Sequence, residues 1–196
     1  MLRDLRASVI AVVALTVVFG LAIPAAFTGF AQLAFAHQAN SSLIKVNGKV
    51  VGSELAAQAF DQPRYFHERP SGTTPAYNAA GTTFANLGPT NPELATNVAK
   101  QAKAILKLES PYNPGLTIHD IPVDAVTTSG SGIDPAISPA YAQLQSRRIA
   151  AVRHLPFETV QKLIDQNTDD RSLGFLGEPG VNVLKLNLAL DGEQSS

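Results

Sequence analysis

The sequence predicts one N-terminal transmembrane helix followed by a single extracytoplasmic domain of α+β (mixed α/β) class. Three observations carry this. No Asp, Glu, Lys or Arg occurs between Arg6 and Lys45. Beyond that gap, Asn91-Pro92-Glu93 and Ser138-Pro139 are capped, proline-opened helix starts. Segments of period-two hydrophobicity lie around these helices without a strict strand–helix–strand rhythm.

The first element runs from Val9 to Phe35, broken only by Thr16, Gly20, Pro24, Thr28, Gly29 and Gln32. As a helix it spans about 40 Å at ~1.5 Å per residue, against about 30 Å of bilayer hydrocarbon. Residues 1–8 then form a cytoplasmic tail, 9–35 the transmembrane helix and 36–196 the extracytoplasmic domain. Arg3 and Arg6 close to the span favour a cytoplasmic N-terminus. Pro24, near the middle, is tolerated where neighbouring membrane helices satisfy the freed carbonyl. The rival is a cleaved signal peptide, with Ala34-Phe35-Ala36 as the cleavage site and a mature start at His37. The apolar run is nearly double the length of a signal core, which favours a retained anchor.

After Ala36 the chain carries 13 Lys+Arg against 15 Asp+Glu, no electrostatic footprint for nucleic acid. There is no cysteine, hence no thiolate nucleophile or ligand. Leu43–Val46 and Lys49–Val51 flank Asn47-Gly48, the signature of a hairpin with a type I′ turn. A short helix is expected over Glu54 to Phe60. Gln62 to Pro92 reads as a long structured loop anchored by Tyr65, Phe66, Tyr77 and Phe84. The next helix runs from Pro92 to about Leu108, with Leu94, Val98, Ala102 and Ile105 as its apolar stripe. Lys100, Lys103 and Lys107 lie off that stripe, as a solvated face or as a phosphate-binding row. Ile121 to Thr128 reads as a strand, followed by helices from Pro139 to about Arg153 and from Pro156 to about Gln166. In Val181 to Leu190 the leucines alternate, predicting a half-buried strand. Asp191 to Ser196 is a polar, frayed tail.

Motifs exclude more than they assign. There is no G-x-x-x-x-G-K-[ST] phosphate loop, and His67-Glu68 lacks the second histidine of H-E-x-x-H. The four histidines share no metal-ligand spacing, so no metal site is expected. His119-Asp120 could form an oriented base in an exported hydrolase or binding protein, the alternative that goes with a cleaved signal peptide. The Ser129-Gly130-Ser131-Gly132 turn could offer backbone N–H groups to an anion, or simply be a turn that needs glycine. Gln145 falls on the stripe of Tyr141, Ile149 and Val152, where a buried amide must find partners inside the protein or on a ligand.

Several blocks occur in order: LIKVNGKVVG (43–52), Tyr65-Phe66-His67, Asn86-Leu87-Gly88-Pro89-Thr90-Asn91-Pro92, PVDAVTTSGSGIDPAISP (122–139) and GFLGEPGVNVLKLNLALD (174–191). Together they resemble the KdpC family, the C subunits of Kdp potassium-transporting P-type ATPases. The resemblance spans nearly the whole chain. It departs at Gly81 to Ala85, where the family usually has a run of Gly and Ser, at Gly180, commonly Arg, and at Lys185, commonly Glu. It implies a non-catalytic subunit of the bacterial plasma (inner) membrane. The implied partners are a channel-like subunit that handles potassium, a P-type subunit that hydrolyses ATP, a small single-helix subunit and membrane lipid. It also implies a catalytic chaperone that raises the pump's ATP affinity, with ATP contacts at Ser129, Gly130, Ser131, Gly132 and Gln145. The chain itself has no D-K-T-G phosphorylation sequence and no T-V-G-Y-G filter. A domain outside the membrane would be separated from cytoplasmic ATP, and this favours an assembly role at the channel's outer mouth.

Overall fold

The computed structural model describes residues 1–82 and 86–193. Phe84, expected to anchor the long loop, and the end of the tail at Gln194 to Ser196 lie outside the described residues. The chain divides into two compact units, Met1–Leu43 and Ile44–Ser196.

In the first unit α1 (Leu2–Val17), a π-helical turn (Val18–Ala22) and α2 (Ile23–Ala34) form one helix long and apolar enough to cross a membrane. Pro24 accounts for the widened turn. Its ring would press on the carbonyl one turn back, and it has no N–H to donate. The N–H of Ile23 instead reaches the carbonyl of Val18, five residues back. A short helix, α3 (Ala36–Ala39), follows.

Next comes the expected hairpin, β1 (Leu43–Val46) and β2 (Lys49–Ser53), of which all but Leu43 belongs to the second unit. Asn47 (φ +51°) and Gly48 (φ +77°) both take the left-handed conformation that a type I′ turn requires. The helix expected over Glu54 to Phe60 does not form, because the backbone there is engaged elsewhere. The N–H of Ala57 donates to the carbonyl of Ile133, and the side-chain amide of Asn182 donates to that of Glu54.

Helix α4 (Pro92–Glu109) starts as read, with the Asn91 side chain accepting from the N–H of Glu93 at 2.9 Å. The strand expected over Ile121 to Thr128 is instead one helical turn, α5 (Val123–Val126). Pro122 cannot donate to a ladder. The Asp124 carboxylate also accepts from both the N–H and the hydroxyl of Ser138, at 2.7 and 2.9 Å, which folds the segment onto the next helix start. Helices α6 (Pro139–Arg153) and α7 (Phe157–Gln166) match expectation.

A small antiparallel sheet lies among them: β3 (Ala136–Ile137), β4 (Thr168–Asp169) and, between them, β5 (Gly180–Asn182). Ile137 and Thr168 both pair with Val181. The half-buried strand expected to continue to Leu190 stops at Asn182, and α8 (Val183–Glu193) takes its place. Asn182 caps that helix by accepting from the N–H of Lys185 at 3.0 Å. Val183, Leu186, Asn187 and Leu190 are buried at helical spacing. The core combines these with Ile137, Ile149, Val160, Val181 and Phe66. Asp191 to Glu193 are the last turn of α8, not a frayed tail.

Two of the departures from the family have visible surroundings. A Cβ on Gly180 would stand 3.3 Å from that of Ala136, so any side chain there is crowded. Lys185 pairs with Glu54 at 2.8 Å.

Candidate functional site

A polar seam runs through the interior where the long loop lies on α6 and α8. Helix α6 turns Tyr141, Gln145, Arg148 and Ile149 inward at three- and four-residue spacing, and all four are buried. Gln145 is 1 % exposed; its side-chain oxygen accepts from the N–H of His67 at 2.8 Å and its amide donates to the carbonyl of His67 at 3.1 Å. Asn187 treats Phe66 in the same way, at 2.9 and 3.0 Å. Two side-chain amides thus replace the ladder a strand would have supplied.

Arg148 stands beside them, fully buried. Its Nη2 donates to the oxygen of Gln145 at 2.8 Å, and its Nη1 to the carbonyls of Pro63 and of Tyr65, the latter at 2.9 Å. Its Nε donates to one oxygen of Glu109 on α4 at 2.8 Å. The other oxygen of Glu109 is buried without a partner. Burial pushes the Glu109 carboxyl above its usual range, and Arg148 opposes that. Arg153, one turn on, donates to the carbonyl of Arg64 at 2.7 Å and to Asp191 at 2.8 Å, with its guanidinium 4.9 Å from the centre of the Tyr65 ring.

Two cavities flank this seam. The larger, about 470 Å³, is lined by Ser129 and Gly130 together with Thr127, Asn97, Lys100 and Gln101. The smaller, about 380 Å³, is lined by Glu68, Glu109, His67, Tyr77, Tyr141 and, again, Gln101. In the Ser-Gly turn the hydroxyl of Ser129 accepts from the N–H of Gly132 at 3.0 Å, and Gly132 has φ +73°. The carbonyl of Gly132 accepts from Ser71 at 2.7 Å. Ser131 accepts from the N–H of Ile133 at 3.2 Å. Of the residues expected at a nucleotide, only Ser129 and Gly130 border the larger cavity; Ser131, Gly132 and Gln145 line neither.

Of the three α4 lysines, Lys100 lines the larger of these two cavities, and Lys103 and Lys107 line neither. His119 and Asp120 sit on an exposed 3₁₀ turn. Asp120 accepts from the N–H and hydroxyl of Thr117, at 2.8 and 2.7 Å. Those bonds hold its carboxyl below the usual range and make it a turn cap. Among the described residues no three of His, Cys, Asp and Glu are placed to hold one metal ion.

Sequence reasoning missed Glu68. It is 5 % exposed, and neither carboxylate oxygen has a hydrogen-bond partner. Burial, with a smaller push from Asp134, raises its pKa from 4.5 to about 9. Its burial depends on how the long loop folds back, for which no local pattern exists.

Set against known proteins, residues 5–192 match the family described as KdpC: K+-transporting ATPase, c chain. Among similar chains is the potassium-transporting ATPase KdpC subunit of Beijerinckia indica, 46 % identical over 191 residues, covering 97 % of this chain and 94 % of the relative. The subunit of the same name from Burkholderia orbicola is 49 % identical over 193 residues, covering 98 % and 97 %. That of Methylococcus capsulatus is 46 % identical over 192 residues, covering 97 % and 98 %.

Proposed function

The chain belongs to the KdpC family of K+-transporting ATPase c chains, and from that premise we propose an assembly role for it at the outer face of the membrane. As an accessory subunit it leaves ATP hydrolysis to a partner. In the proposed arrangement the N-terminal helix stays in the bacterial plasma membrane with its start in the cytoplasm. The folded unit covers the outer mouth of the channel-like subunit and ties it to the P-type subunit and the small single-helix subunit. The observation that carries this reading is the match over residues 5–192, which takes in both the apolar helix and the folded unit.

A loop on the folded unit suits such a role. Leu173, Phe175 and Leu176 are exposed on a turn pinned by the Arg171–Glu178 ion pair at 2.6 Å and by the pairing of Ser172 with Leu176. Apolar side chains clustered at a braced tip favour a protein partner. Flanking Asp169, Asp170 and Glu178 disfavour an anionic lipid surface. The test is co-purification: the full chain should come away with its partners in mild detergent, and Leu173→Ser with Phe175→Ser should release it. Unchanged recovery of that double variant removes the tip from the interface.

A second reading is the catalytic chaperone, in which the domain contacts ATP and raises the pump's affinity for it. It is favoured by Ser129 and Gly130 bordering a cavity that Lys100 also lines. Gln145 would have to give up His67 and Arg148 to reach a nucleotide. ATP titration of the full chain and of Gln145→Ala and Lys100→Ala tests it. Loss of binding in Lys100→Ala supports the turn, and equal weak binding by all three ends the direct role.

A further inference from the structure

The smaller cavity has chemistry that the assembly role leaves unused. Three carboxyl groups line it: Glu68, Glu109 and the exposed Asp61. Among the described residues no lysine or arginine does so. Both oxygens of Glu68 and one of Glu109 are buried and without partners, although each residue is at least nine-tenths buried. Buried carboxylate oxygens normally find donors, because an unmet acceptor loses its hydration without replacement. The remaining wall is mixed: Phe60, Ile105 and Leu108 give it an apolar side, and His67, Tyr77, Gln101 and Tyr141 a polar one, with burial lowering the His67 pKa and so favouring its neutral ring. At about 380 Å³ the space falls in the range of small-ligand clefts.

We propose that this cavity binds the head of a small organic cation, an amine or guanidine, with Glu68 and the free oxygen of Glu109 accepting its N–H groups and the apolar side taking its aliphatic stem. A metal ion needs its ligands to converge on one point, and no three His, Cys, Asp or Glu do so here. An organic head has donors pointing in several directions and can reach acceptors that do not converge.

The charge state of the empty site adds a signature. Burial and, less, the Asp134 charge push the Glu68 carboxyl up, Asp134 being paired with Arg69; burial and then Glu68 and Asp61 push the Tyr77 hydroxyl up. With its own pKa at about 9, Glu68 is protonated at neutral pH. A cation seated on it favours the carboxylate, so binding expels a proton. The same head group could come from a free small molecule or from a lysine or arginine of a partner subunit.

The test is calorimetric titration of the detergent-solubilised full chain at pH 7 with butylguanidinium and butylammonium. Uncharged butylurea and potassium chloride at equal ionic strength are the controls. Binding of a cationic probe should release close to one proton, read from buffers of different ionisation enthalpy. Glu68→Gln should abolish that release and weaken binding at least tenfold. Butylurea or potassium chloride binding equally well, no binding at all, or unchanged affinity and proton release in Glu68→Gln would each overturn the proposal. Should Glu68→Gln fail to fold, the proton count on the unaltered chain decides alone: no release at pH 7 overturns it. Repeating the titration on the co-purified complex separates the sources. Binding retained there assigns the site to a free molecule, and binding lost assigns it to a partner's side chain.

Discussion

The side chain of Gln145 holds the backbone of His67 at both its N–H and its carbonyl, 2.8 and 3.1 Å away, while its oxygen also accepts from Arg148. A helix glutamine thereby performs the work of a neighbouring strand. Replacing it by alanine leaves the N–H and carbonyl of His67 without these partners and removes one acceptor from a buried guanidinium. Gln145→Ala should lose about 2 kcal/mol of stability or more, read as a lower midpoint in chemical denaturation.

The buried pair of Arg148 and Glu109, 0 % and 1 % exposed, is sensitive to being broken from one side. Glu109→Ala leaves a guanidinium in the interior with one fewer anionic partner and should cost about 3–5 kcal/mol. Changing both together, as Arg148→Met with Glu109→Leu, still strips the donors from Pro63, Tyr65 and Gln145. The double variant should therefore stay less stable than the unaltered chain. A double-mutant cycle in urea separates the two contributions.

Glu68 sets a pH dependence. Its pKa rises from 4.5 when unfolded to about 9 when folded. Between those values the folded chain holds a proton that the unfolded chain has lost, so stability falls as pH rises through that window. Glu68→Gln has no proton to lose. It should be more stable than the unaltered chain at pH 8, and its stability should fall less steeply from pH 5 to 8 in thermal melts.

The absence of cysteine makes topology directly testable. A single Leu173→Cys change, at a position 82 % exposed, gives a unique thiol. A membrane-impermeant maleimide should label it in intact spheroplasts as fully as in lysed ones. Labelling only after lysis would place the folded unit inside and reverse the orientation argued from Arg3 and Arg6.

The elements that could be read from the sequence are those with local punctuation. Asn47-Gly48 fixed one turn, and Asn91-Pro92 and Ser138-Pro139 opened two helices, because caps and prolines act within a few residues. Val181 to Leu190 misled because leucines two apart satisfy a strand pattern, while leucine, alanine and lysine all favour a helix. The deciding signal was Asn182, a side chain suited to a cap. Gln145 was placed correctly on a buried stripe, but its partner lies 78 residues away in a loop without periodicity. Glu68 and Glu109 could not be paired with a cavity from the sequence for the same reason: it forms only when α4, α6 and the loop meet.

The grip of Gln145 and Asn187 on consecutive residues also fixes how the long loop can evolve. Each amide fits one peptide position and no other. A single-residue insertion or deletion between Pro63 and His67 would slide every carbonyl past its clamp and leave Arg148 and Arg153 facing the wrong atoms. Length changes should therefore collect later in the loop, while this five-residue stretch keeps its count even where its side chains vary.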